Sequence, residues 1–100
     1  MKIVLRIDGV DKEFLTDFIP GRIFRQAVKA RELLKKGNEL TDEELDELIM
    51  VVVNAYNKQF TIDQFWDGID ARDIMDTIVD TIIGTIQRVN GTGGSEDTQW

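Results

Sequence analysis

The residues of this chain with the widest chemical reach are four aspartates, Asp63, Asp67, Asp70 and Asp73, spaced by three or four positions. Carboxylates so arranged could offer oxygen ligands to a hard cation or serve as a paired acid and base. Neither pattern is complete. The spacing is not that of an EF-hand loop, and Asp63, Asp70 and Asp73 fall at cap or first-turn positions, where a carboxylate has a structural use. A second array is basic: Arg22, Arg25, Lys29 and Lys36 share one side of a helical segment. They could meet phosphate, yet no glycine-rich loop or interleaved aromatics accompany them, and the chain as a whole carries −7. Solvation or contact with acidic protein explains the stripe better than nucleic acid does. The chain has no histidine and no cysteine, and its one serine, Ser95, stands in a small polar segment. The commonest general base and metal ligand, thiolate metal sites, cysteine nucleophiles and a serine triad are therefore excluded. A non-enzymatic protein without cofactor or metal is expected.

The net charge is unevenly distributed. Up to Lys36 there are nine basic residues against five acidic ones, and from Gly37 onward three against fourteen, so the two parts carry +4 and −11. Mutual attraction within the fold accounts for this; two binding surfaces of opposite sign are the alternative.

The elements that position these groups centre on Leu40 to Phe60. Thr41 and Glu44 have the spacing of a capping box, and Leu40 and Leu45 that of a hydrophobic staple. Leu48 to Val53 is uninterrupted apolar sequence, more than one turn of helix, and so must be covered on several sides. Before it, Lys2 to Ile7 alternates as a half-buried strand does, Asp8-Gly9 suits a tight turn, and Lys12 to Thr16 is the expected returning strand. Val10 and Asp11 leave its register open. Pro20 is placed at the first position of a helix running to Lys36 and stopped by Gly37 in the left-handed conformation. After the central helix, Thr61 and Gln64 repeat the capping box, Phe60 and Phe65 repeat the staple, and Gly68 closes a short helix. Asp70 should cap the last helix, with Ile74, Met75, Ile78, Val79, Ile82, Ile83 and Ile86 inside and Asp73, Asp76, Thr77, Asp80 and Thr81 on another face. Gly84 suggests close approach of another backbone. From Asn90 the chain is small, polar and glycine-rich, as disordered segments are.

These pieces predict an α+β, mainly helical domain over residues 1–89, a β-hairpin packed on three longer helices and one short one, with a disordered tail over 90–100. No apolar run is long enough to span a membrane. Composition alone goes no further than a small acidic interaction module.

Three segments carry more. MKIVLRIDG at the start, DFIPGRIFRQAVK opening the first helix and QFTIDQFWDGIDARD after the central one resemble tail assembly chaperones of long-tailed bacteriophages. The similarity runs from Met1 to about Val89 and is most specific over Gln59 to Asp73. The resemblance implies a protein of the bacterial host cytoplasm that binds the tape measure protein and keeps it soluble until tail tube protein polymerises around it. Contact with the tail tube protein and self-association are further implied possibilities. It supplies no residue-level active site. The apolar surplus of the central and last helices puts candidate client contacts at Leu48, Val52, Ile78 and Ile82; Phe65 and Trp66 of the short helix read first as core aromatics, with an exposed binding hot spot as the alternative that adds them to the candidates. A competing reading is a small acidic inhibitor that imitates nucleic acid and binds a nucleic-acid-binding protein; it requires a surface array of acids, whereas many acids here occupy helix starts.

Overall fold

The computed structural model describes residues 1–90; of the expected tail, 91–100 lies outside the described residues. The chain opens with an antiparallel hairpin, β1 (Lys2–Ile7) and β2 (Val10–Leu15). Asp8 and Gly9 both take positive φ, 55° and 78°, the geometry of a two-residue turn whose twist matches that of the strands. Val10 therefore pairs with Ile7 and begins the returning strand, two residues earlier than expected. The terminal ammonium donates to the Thr16 carbonyl and the Thr16 amide to the Met1 carbonyl, each at 3.0 Å, which ties the base of the hairpin.

Helix α1 (Gly21–Leu34) starts directly after Pro20, which sits one position before the helix rather than in its first turn. The helix ends two residues short of Lys36, and Gly37, at φ 55°, opens a short 3₁₀ turn. Helix α2 (Asp42–Ala55) has the full capping box: the Glu44 amide donates to Thr41 Oγ1 at 3.1 Å and the Thr41 amide to Glu44 Oε1 at 3.0 Å. It stops five residues before Phe60. Asn57 takes the left-handed conformation, its amide donates to the Asn54 carbonyl, and the Lys58 amide donates to that of Val53. That is a Schellman ending with asparagine in the place glycine more often takes.

Helix α3 (Ile62–Gly68) repeats the box through Thr61 and Gln64, at 3.0 and 2.9 Å. Gly68 is its last residue, though not for a left-handed turn. A Cβ there would lie 2.8 Å from the Arg6 carbonyl oxygen, so glycine allows α3 to cross β1 backbone against backbone. Asp70 caps a 3₁₀ turn, accepting from the Arg72 amide at 2.9 Å, and α4 (Ile74–Asn90) follows that turn.

The helices form one core, with α1 packed on α2 and α4, α2 on α3 and α4, and α3 on β1. Leu5, Leu48, Ile49, Val52, Phe65, Ile78 and Ile82 are wholly enclosed. Burying each such side chain contributes about 1.5–3 kcal/mol. An aromatic chain joins the hairpin to the helices: Phe14 on Phe60 at 5.1 Å, Tyr56 on Phe60 at 5.7 Å, and Phe60 on Phe65 at 6.4 Å. The face of α4 is turned relative to its apolar rows. Met75 and Val79 are exposed, whereas Thr81 and Thr85 are buried. Each threonine hydroxyl donates to the carbonyl four residues back, at 2.8 and 2.7 Å, so it enters the core already satisfied. Gly84 faces the Met1 sulfur, 3.3 Å from a built Cβ, and not another backbone.

Candidate interaction surface

The four aspartates do not share one site. Asp67, Asp70 and Asp73 line a depression of about 330 Å³ with Arg6 and Asp11, while Asp63 lines another beside Lys58 and Phe60. Arg6 Nε donates to Asp11 at 2.9 Å, and Arg72 holds Asp70 through Nε at 3.2 Å and a terminal nitrogen at 3.0 Å. The Arg72 side chain, and after it the Arg72 amide, hold the Asp70 carboxyl below its ordinary range. Among the described residues no three acidic side chains are placed to hold a metal ion. The shifts that are present lead away from neutrality: Glu44 is lowered, Arg6 and Arg72 are raised, and burial pushes Tyr56 up to about 12. None of these groups is poised to exchange protons near neutral pH.

The apolar candidates also sit differently from expectation. Leu48, Val52, Phe65, Ile78 and Ile82 all show 0% exposure, so they form the core and no client touches them in this conformation. The apolar sides of the central and last helices are covered instead, because α1 packs on both and buries Ile23, Ala27 and Ala30. Trp66 alone of the six reaches the surface. It is half-buried, edge-on to Phe65 at 6.0 Å, and its Nε1 donates to Asp46 Oδ1 at 3.2 Å.

What the surface does offer lies along the outer side of α2. Met50, from the middle of the apolar run, is 43% exposed. Three depressions adjoin there, of about 210, 390 and 660 Å³, and all three are lined by Asn54. The smallest runs between α1 and α2 over Ala30, Leu33, Met50 and Val51. The next follows the same seam toward Pro20, Ile23 and Asn57. The largest passes over Met50, Val53, Phe60 and Ile62 to the start of α3. Asn54 Nδ2 donates to Gln26 Oε1 at 3.2 Å, while Asn54 Oδ1 is enclosed and has no hydrogen-bond partner among the described residues. Sequence reasoning missed both Met50 and Asn54. The available signal was Asn54 itself, the one polar residue between Leu48 and Ala55.

The family described as phage tail chaperone protein matches residues 1–99. The chain belongs to this family. Comparison with curated proteins and with solved structures finds no match. In this tail chaperone the rim of the α2 surface is charged. Arg22, Lys29 and Lys58 stand along it and hold no ion pair among the described residues, although Lys36 of the same basic stripe pairs with Glu44. Glu47 and Asp63 stand on the rim as well. No helix of the chaperone, among the described residues, is long and apolar enough to cross a membrane.

Proposed function

We propose that this tail chaperone binds the tape measure protein of its phage in the host cytoplasm and keeps it soluble until tail tube protein assembles around it. The observation that carries the reading is the family match over residues 1–99. The physical properties of the chain agree with it. An aggregation-prone helical client needs an apolar surface to cover its own stripe and a charged exterior to keep the complex in solution. The surface over Met50, Val53 and Ile62 offers the first, and a charge of −7 with fourteen acids after Lys36 offers the second. The role is non-catalytic, and neither cofactor nor metal enters it. Contact with tail tube protein and self-association belong to the same proposal as secondary interactions.

The test is co-expression with the tape measure protein encoded in the same phage genome, followed by fractionation and pull-down. The client should move to the soluble fraction and be recovered with the chaperone. A client equally insoluble with and without the chaperone, and no complex, would end this reading.

A further inference from the structure

We infer that a second copy of this chain covers the apolar recess over Met50, Val53, Phe60 and Ile62, each copy setting Phe18 into the recess of the other across a twofold axis. This rests on the tape measure reading above, because the recess is the surface assigned there to the client. Self-association excludes the client, and the client displaces the second copy.

Phe18 is the first argument. It is 73% exposed, and Leu15, three residues before it, is 62% exposed; among the described residues no large apolar side chain is more exposed. Their segment is nevertheless held in place by the turn after α2 and by α4. Asn57 Nδ2 donates to Thr16 Oγ1 at 3.2 Å and to the Phe18 carbonyl at 3.1 Å, and Gln59 Nε2 donates to the Leu15 carbonyl at 2.8 Å. Arg88 donates to the Asp17 carbonyl. A segment already held loses little conformational freedom when a partner binds, and a fixed aromatic ring is a common anchor of protein interfaces.

The recess lies next to that anchor. Asn57 and Gln59 hold the Leu15–Phe18 segment, while Lys58 and Phe60 of the same turn line the recess. At about 660 Å³ it is the largest of the three depressions along α2, and Met50 within it is 43% exposed. A patch that carries a projection beside a recess fits its own twofold copy, which fills both recesses at once. A second copy covers Phe18 and the recess together, whereas an occupant of the recess alone leaves Phe18 in water.

Charge agrees with this pairing. Asp17 and Arg22 stand on either side of Phe18 in the chain, Lys58 and Asp63 line the recess, and none of the four has an ion pair among the described residues. Each side of the contact offers one charge of each sign, so Asp17 can meet Lys58 of the second copy and Arg22 its Asp63.

Sedimentation equilibrium of the full chain without client should show monomer and dimer in exchange. Phe18→Ser and Met50→Glu should each weaken the dimer by about tenfold or more, with melting temperature unchanged. Mixed together, the two variants should recover part of the association, because Phe18 of one still meets the intact recess of the other. Asp17→Lys should weaken the dimer, and Lys58→Asp added in the same chain should restore it. Val79→Asp, on the outer stripe of α4, should dimerise as the unmodified chain does. The tape measure protein should dissociate the dimer, and Phe18→Ser should still solubilise it. A chain monomeric at every concentration, a mixture that recovers nothing, or loss of the dimer on Val79→Asp overturns this inference while leaving the chaperone reading intact. So does loss of client capture on Phe18→Ser, which assigns Phe18 to the client instead. A dimer that behaves as described, in a chain that fails to solubilise the tape measure protein, overturns the tape measure reading and with it the competition, but not the contact between copies.

Discussion

The seam between β1 and α3 and the seam between α1 and α2 are built in opposite ways. At the first, Gly68 removes the side chain altogether, and the Arg6 backbone closes to a distance that no Cβ would tolerate. At the second, α1 packs on α2 with Ala27 and Ala30 buried, yet Met50 beside them remains 43% exposed and the enclosed Asn54 Oδ1 remains unpaired among the described residues. One seam closes backbone to backbone, and the other leaves apolar surface exposed and a buried acceptor unpaired among the described residues.

Breaking the closed seam should give the largest effect. Gly68→Ala places a methyl against backbone atoms that cannot rotate away, and should destabilise by about 2–3 kcal/mol, read by chemical denaturation. Unchanged stability would mean that α3 and β1 are not in contact as described. Filling the open seam should act in the reverse direction. Asn54→Leu removes the unsatisfied acceptor and should raise stability by about 1 kcal/mol, the sign that distinguishes a site kept open from one that supports the fold.

The start of α2, which belongs to neither seam, should respond less than the closed one. Thr41→Ala leaves a first-turn amide without its acceptor and should cost about 1 kcal/mol. Acid should weaken the same box. The Lys36 ammonium first, and the Thr41 amide second, lower the Glu44 carboxyl below its ordinary range. A lowered acid contributes stability that is whole above its unfolded value, about 4.3, and is lost as pH falls through the folded value. Lys36→Met should therefore show a shallower loss of stability on acidification, measured by melting temperature across the carboxylate range. The smallest effect belongs to Gly84→Ala. Helix propensity favours alanine by about 1 kcal/mol, and its Cβ would meet only the Met1 sulfur at 3.3 Å, the end of a side chain that can move. The melting temperature should stay level or rise slightly; a fall comparable to that of Gly68→Ala would show that the Met1 end is held as rigidly as β1.

Much of the scaffold is legible in the sequence, because its signals are local. The boxes at Thr41–Glu44 and Thr61–Gln64 and the turn at Asp8-Gly9 depend on atoms within a few residues of one another, so residue type and spacing are sufficient to place them. The candidate site is not legible in this way. Leu48, Val52, Ile78 and Ile82 stand out in sequence as an apolar surplus, and such a surplus becomes core as soon as another helix covers it.

The sequence by itself thus determined where α2 and α3 begin, that a two-stranded hairpin precedes the helices, and that the chemistry is not that of histidine or cysteine. Tertiary structure alone decided that α1 lies on both α2 and α4, that Thr81 and Thr85 turn inward while Met75 and Val79 turn out, that Gly68 serves a backbone crossing, and that Asn54 buries an acceptor without a partner among the described residues. The physical reason is range. Capping and turn hydrogen bonds are complete within one short stretch of chain, whereas burial and satisfaction are properties of the elements that happen to meet, and no residue carries that information in its own neighbourhood.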